Sequence, residues 1–346
     1  MSWKNKKYTV ESVLKGHPDK ICDQISDGLL DAYLQYDKNA HTAIECLGIN
    51  NNIIIAGEVC SSCNIPVEEL CNMLYSNITG LASLNVVNML RKQSSQLGHP
   101  INEGAAGDQG IMYGYACQSN YNFLPYGYWL VNLIAKRLDK YREKNMLFLP
   151  DGKVQLTVDN GLIKQLCINV QHSIDSNLEE IRHAIKNDIL FDVVCKDIKV
   201  NEDEGFIIGG LENDTGLTGR KIIIDTYGGL APHGGGSFSG KDCSKLDRSA
   251  AYMCRFVAKN IVANKLADEC TISVAYEFGV EKPTMICVEV NGKYSEPITN
   301  FVKHVFDFRP MAIVERLNLK NIKYLPTATY GHFTNENYPW EQIINI

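Results

Sequence analysis

One arrangement recurs three times along the chain: an amphipathic helix, a strand, a tight turn, a second strand and a second helix. In the first copy Ile25, Leu29, Leu30 and Tyr33 fall on one face at helical spacing, which predicts a helix over residues 23–36. The β-rich runs HTAIECLGI and IIIAGEV follow, joined at Asn50-Asn51-Asn52. Asparagine tolerates positive φ, so this join predicts a hairpin. PVEELCNMLYSNI then reads as a helix with Pro66 near its first turn. In the second copy GYWLVNLIAKRLDKYREK opens, KVQLTV and LIKQLCINVQH turn at Asp159-Asn160-Gly161, and SNLEEIRHAIKNDI closes. Ser176 and Glu179 have capping-box spacing there. The third copy opens with DRSAAYMCRFVAKNIVANKLA, whose predicted buried stripe is Ala250, Met253, Cys254, Val257 and Ile261. CTISVAYEFGV, TMICVEVNG and EPITNFVKHVFDF complete it.

A chain built this way has three sheets to bury. The predicted class is α+β: three α/β repeats, each a mostly antiparallel sheet covered by helices. Segments rich in β-branched residues after the closing helices are expected to complete the sheets. Gly, Pro, Asn and Asp cluster near residues 97–106 and 211–216, which predicts repeats at 1–98, 104–211 and 212–346.

Composition removes several functions. With 34 Lys+Arg against 40 Asp+Glu, the net charge of -6 argues against a nucleic-acid partner. MSWKNKKYTV has no apolar signal region, and no apolar run is long enough to span a bilayer. The expectation is a cytoplasmic chain with no membrane partner. Cys46, Cys167, Cys254 and Cys287 sit in apolar segments and read as core residues. Cys60 and Cys63 form a C-x-x-C with no second pair at zinc-finger spacing, so a zinc or redox role is set aside.

The chemistry concentrates where polar loops lead into the opening helices. ESVLKGHPDKICDQISD places His17, Asp19 and Lys20 around Pro18, with Asp23 as a candidate helix cap. INEGAAGDQGIMYGYA surrounds Asp108 and Gln109 with Gly104, Gly107 and Gly110, which let backbone N–H groups approach a ligand. In the third loop Gly235 to Lys241 matches G-x-x-x-x-G-K, the core of a phosphate-binding loop. Asp242 stands where a P-loop NTPase has Ser or Thr, which argues against that class. His233, Lys241 and Lys245 still describe an anion cradle, and Asp247 is a candidate cation ligand or N-cap. Upstream, Asp214, Arg220 and Lys221 flank glycine-rich turns. Lys20, Lys153, Arg220, Lys221, Lys241 and Lys245, with Asp19, Glu45, Glu58, Asp108 and Asp247, point to a highly charged anion with Mg²⁺.

ESV-x-x-GHPDKI-x-DQISD, GA-x-GDQG-x-M-x-GYA, GLTGRKII-x-DTYGG and HGGG-x-FSGKD-x-SK-x-DRSAAY together resemble the methionine adenosyltransferases, the S-adenosylmethionine synthetases. The resemblance runs from about Tyr8 to the segment Tyr330–Trp340. It implies three repeats related by pseudo-threefold symmetry. It implies formation of S-adenosylmethionine from ATP and L-methionine, with sulfur attacking ribose C5′ and the triphosphate leaving to be hydrolysed. By this resemblance His17 lies beside the triphosphate, Asp19 and Asp247 hold two Mg²⁺ ions, and Glu45 holds K⁺. Glu58, Gln93, Asp214 and Lys245 match methionine contacts, and Phe206 matches the aromatic that stacks on adenine. Lys153, Arg220, Lys221, Ser237 and Lys241 match nucleotide or triphosphate contacts, with His17, Lys153, Arg220 and Lys241 the catalytic set. Sites between two subunits imply a homodimer or a dimer of dimers.

Three departures from the family pattern stand out. QSSQLGHPINEGAAG, from Gln93 to Gly107, is shorter than the family's gate and lacks its Asp-Ile-x-x-Gly-Val. Glu204-Gly205-Phe206 replaces Gly-Arg-Phe, removing one Arg that contacts ATP. The middle repeat is abbreviated. These departures leave open two alternatives: the same fold acting on a methionine analogue, or a catalytically degenerate regulatory subunit.

Overall fold

The computed structural model describes residues 3–81, 83–92, 104–203 and 205–346. In chain order its strands and α-helices begin with β1 (Lys7–Val13), α1 (Pro18–Tyr36), β2 (His41–Ile49), β3 (Asn52–Cys60), α2 (Val67–Thr79) and β4 (Asn85–Lys92). The next are β5 (Gly110–Cys117), α3 (Tyr126–Asn145), β6 (Gly152–Asp159), β7 (Leu162–Val170), α4 (Leu178–Ala184) and β8 (Asp197–Val200). Then come β9 (Gly216–Leu217), α5 (Ile222–Thr226), α6 (Leu246–Ala263), β10 (Glu269–Tyr276) and β11 (Met285–Val290). β12 (Lys293–Tyr294), α7 (Glu296–Val305) and α8 (Pro310–Arg316) complete the series.

The α+β class holds: the described residues form three four-stranded sheets, ordered β4-β3-β2-β9, β1-β6-β7-β8 and β12-β11-β10-β5. At their centres lie the antiparallel pairs β2–β3, β6–β7 and β10–β11. β3–β4 and β7–β8 are parallel, because α2 and α4 carry the chain back between them. The predicted hairpin turns form at Asn50 (φ 51°) and at Asn160-Gly161 (φ 49° and 75°).

Each sheet takes an outer strand from another stretch of chain. β1 pairs with β6, β5 with β10, and β9 with β2. A long helix backs each sheet: α1 lies on β2, α3 on β1 and β6, and α6 on β5 and β10, while α2 and α7 add contacts to β4 and β11. The exchange brings the start of α1 against Pro150 and Gly152 on one side and β9 on the other.

Several local expectations are corrected. Helix α1 begins at Pro18, not at residue 23. Proline's fixed φ and missing N–H suit the first helical position, and His17 is the cap, its Nδ1 accepting the Asp19 N–H at 3.2 Å. Asp23 is therefore a buried mid-helix residue rather than a cap. Asp247 lies in the first turn of α6, and Lys245 takes the N-cap position without a side-chain capping bond. Asn177, not Ser176, caps α4, accepting the N–H groups of Glu179 and Glu180. In the third repeat the fourth strand precedes the closing helix, because Asn291-Gly292 (φ 52° and 75°) turns β11 directly back into β12. Cys46 and Cys254 are buried, but Cys167 and Cys287 are half-exposed.

Candidate active site

Helix α1 organises the site. Asp19, Asp23, Asp27 and Asp31 recur every four residues and form one acidic stripe. Asp19, Asp23 and Asp27 are buried and Asp31 is half-buried; carboxylates out of water need partners, and each finds at least one in a distant segment. Asp19 Oδ1 accepts the Leu217 N–H at 3.0 Å and Arg220 Nε at 3.1 Å, while Oδ2 accepts from Lys221. Asp23 accepts the Gly219 N–H at 2.8 Å and Lys20 Nζ at 2.9 Å, and Lys20 also pairs with Asp225. Asp27 accepts the Gly240 N–H at 2.9 Å and both terminal nitrogens of Arg248 at 2.7 and 2.9 Å. Asp31 accepts the N–H groups of Tyr324 and Leu325 at 2.8 and 3.0 Å. The loop motifs single out neither Asp27, Asp225 nor Arg248, and they offer Asp23 only as a helix cap. The i, i+4 spacing of the aspartates is visible in the sequence; their partners are not.

Beside the stripe, His17 is neutral. Burial and the neighbouring Lys221 ammonium push its pKa down to about 4. Since Nδ1 accepts a backbone N–H, the neutral ring carries its proton on Nε2, a donor suited to an anion. Lys153 on β6 reaches the same corner: its charge also bears on His17, and it pairs with Glu11 at 2.8 Å. Asp214 is exposed, its N–H bonded to the Gly210 carbonyl at 3.2 Å. Phe206 is half-buried in the same loop, its carbonyl accepting the His172 N–H at 3.0 Å.

The glycine-rich loop adjoins this corner. Ser237 occupies the space where a side chain on Gly219 would stand. Lys241 Nζ donates to Asp247 Oδ2 at 2.6 Å. The next helix starts at Leu246, not directly after Lys241 as a P-loop requires. Lys241 bridges to Ala43 on β2, and in register Ala43 faces Glu58 on β3. Glu45 lies two residues along the same face. Glu58 accepts from Arg91 at 2.6 and 3.1 Å, and Lys245 Nζ donates to Asp242 at 3.3 Å. His17, Asp19, Lys153, Arg220 and Lys221 thus share one corner. Ser237, Lys241 and Asp247 form the adjoining wall, with Glu45, Glu58 and Lys245 beyond it. Gln93 lies outside the described residues.

Among the described residues no three His, Cys, Asp or Glu side chains gather as a metal cage. The donors nevertheless fit a divalent cation that shares its shell with a polyphosphate. The Asp247 carboxylate fills the space a Cβ on Gly236 would need, so a glycine cradle surrounds it. Asp19 is the second carboxylate of the corner, its Oδ2 accepting from Lys221.

Four cations, a neutral imidazole donor and two carboxylates around glycines can hold a polyphosphate and stabilise it as it departs. The family models for the N-terminal, central and C-terminal domains of S-adenosylmethionine synthetase match residues 5–95, 103–211 and 208–342. The chain belongs to the S-adenosylmethionine synthetase family. It is similar to the S-adenosylmethionine synthase of Petrotoga mobilis, 42% identical with 98% of this chain and 96% of the relative covered. The synthases of Mycoplasmopsis pulmonis and Borreliella afzelii are 40% and 39% identical, each over 98% of this chain and 96% and 95% of their own. The first alignment spans 387 positions against 346 residues here, so that relative carries segments this chain lacks. The activity is that of a methionine adenosyltransferase, with ATP and methionine as substrates. S-adenosylmethionine synthetases use a divalent metal and a monovalent cation. No helix among the described residues is long and apolar enough to cross a membrane.

Proposed function

We infer that the triphosphate of ATP lies between the start of α1 and the glycine-rich loop, with methionine beyond it toward β3. The observation that carries this reading is the meeting of His17, Asp19, Arg220 and Lys221 with the Lys241–Asp247 wall across Gly219 and Ser237. The methionine sulfur carries no proton, so its attack on C5′ needs no base. Its lone pair forms the S–C5′ bond, and the C5′–O bond breaks with its electrons passing to the triphosphate. The energetic demand is therefore alignment and stabilisation of the leaving anion.

His17 donates through Nε2 to the triphosphate, and Lys153, Arg220, Lys221 and Lys241 spread charge along it. Ser237 lines the same loop, and Phe206 stacks on adenine. Asp214 stands near the ribose and the methionine, and Glu58, Gln93 and Lys245 hold the amino acid. Asp19 and Asp247 would hold Mg²⁺, and Glu45 would hold K⁺. Bound there, Mg²⁺ would neutralise charge on the triphosphate. Asp19 becomes available when Lys221 leaves it for a phosphate oxygen.

The three repeats, residues 1–98, 104–211 and 212–346, act as one unit because each sheet borrows a strand from another. The face bearing Glu45 and Glu58 also exposes Leu47, Ile49, Val87 and Met89, which supports burial against a second copy in a homodimer or a dimer of dimers. A cytoplasmic setting would keep the twelve cysteines reduced. The test is incubation of the purified protein with ATP, L-methionine, Mg²⁺ and K⁺. S-adenosylmethionine with pyrophosphate and phosphate is expected by mass spectrometry. Substituting Lys241→Ala should collapse triphosphate binding to a low residual level that leaves turnover measurable, and unchanged turnover in that variant would refute its role.

A further inference from the structure

We propose that the buried Arg248–Asp27 ion pair is a positioning device for Lys241, and through it for the departing triphosphate. Arg248 is fully buried and uses all five of its N–H groups. Nε donates to the Tyr252 hydroxyl at 3.0 Å, and two donors grip Asp27 at 2.7 and 2.9 Å. The remaining two reach the Lys241 carbonyl at 3.0 Å and Thr327 Oγ1 at 2.8 Å. Asp27 in turn accepts the Gly240 N–H at 2.9 Å. One ion pair therefore holds the Gly240–Lys241 dipeptide at both ends, by its first N–H and its last carbonyl.

The groups between are also fixed. The Gly240 carbonyl accepts the Ile44 N–H and Thr42 Oγ1, both at 3.0 Å, and the Lys241 N–H donates to the Phe238 carbonyl at 3.2 Å. Only the Lys241 side chain is left to move, and it is partly exposed. Buried ion pairs contribute little net stability compared with apolar residues of the same volume. What a planar guanidinium fork adds is orientation. A lysine on a flexible stem delivers its charge accurately only from a rigid root. Displacement of about 1 Å at a reacting centre costs on the order of 10²-fold in rate.

This inference rests on Lys241 contacting the triphosphate, and a double-mutant cycle separates the two. Steady-state kinetics and melting temperatures are measured for the parent, Arg248→Lys, Lys241→Ala and the double variant. Arg248→Lys is expected to lower kcat roughly 10- to 100-fold and to leave the KM for methionine within about twofold. In the Lys241→Ala background it should lower kcat no further, because the group it positions is gone. Losses that multiply in the double variant overturn the positioning role. Unchanged turnover in Lys241→Ala overturns the reading of Lys241 itself. If Arg248→Lys does not fold, Thr327→Val removes a single Arg248 bond remote from the loop and enters the same cycle. A kcat loss confined to the Lys241 background supports the device; an equal loss in both backgrounds, or none, overturns it.

Discussion

Substituting Gly236→Ala separates the chemistry of the glycine-rich loop from its folding. A methyl group there would stand 2.1 Å from Asp247 Oδ1, 2.2 Å from Cγ and 2.7 Å from Oδ2. The carboxylate must retreat by roughly 1.5 Å to reach ordinary contact distance. It can do so cheaply, because it ends a short rotatable side chain that is 30% exposed, and Gly236 has no positive φ to strain. The Lys241–Asp247 pair that breaks is worth about 1 kcal/mol or less at such exposure. The melting temperature should therefore fall by no more than about 4 °C. Activity should fall much further, since a misplaced charged group at a departing anion costs on the order of 10²-fold. Gly234→Ala and Gly240→Ala are the contrast. Their methyls would meet the backbone carbonyls of Ile111 and Ile44 at 1.6 and 1.9 Å, and backbone cannot yield, so both should lose the fold. The assay is phosphate and pyrophosphate release beside differential scanning fluorimetry. Gly236→Ala with parental melting and activity within threefold of the parent would show that the Asp247 carboxylate does not act where it stands.

Asp151 is buried, and desolvation raises its pKa to about 6, above the usual value near 4. Its protonated form is favoured in the fold, so its contribution is fully present below about pH 4 and is lost as pH rises through 6. Asp151→Asn keeps an acceptor for the Gly210 N–H, and its stability relative to the parent should rise by up to about 3 kcal/mol between pH 4 and 7 in urea titrations; a flat difference would exclude the ionisation. Glu341 accepts both Arg255 Nε and a terminal Arg255 nitrogen at 2.9 Å, and Lys259 at 3.0 Å, all out of water. Glu341→Gln should destabilise by about 3–5 kcal/mol, lowering the melting temperature by roughly 10 °C; a shift under 2 °C would contradict this. Chelation with EDTA should abolish turnover without lowering the melting temperature of the substrate-free protein, because no cluster of metal ligands among the described residues supports the fold; parallel loss of structure would point to a structural ion.

Much of the frame is local and was readable along the chain. The hairpins at Asn50 and Asn160-Gly161 follow from residues that accept positive φ, and the three long helices from apolar spacing. His17, Asp19, Arg220, Lys221 and Lys241 stood out because charges crowd around glycines in loops. Helix α1 starts earlier than the polarity of residues 17–22 suggests, because Pro18 favours the first helical turn. Buried charge was the larger gap. Lys20, Asp23, Asp27 and Arg248 belong to residue types that normally face water. Only partners from distant segments offset the desolvation that keeps such groups outside.

The sequence by itself determined the repeating helix–hairpin–helix unit, the turn positions and the inventory of charged groups. These depend on neighbours within a few residues, through side-chain periodicity and φ preference. The tertiary structure decided that β1 joins β6, β5 joins β10 and β9 joins β2. It also decided that a stripe of aspartates on α1 anchors the loops carrying Arg220, Lys221 and Lys241. A strand's alternation names the face it buries but not its partner, and an aspartate's charge names no cation. Both are chosen only when the whole chain closes and every buried donor and carboxylate must be satisfied at once.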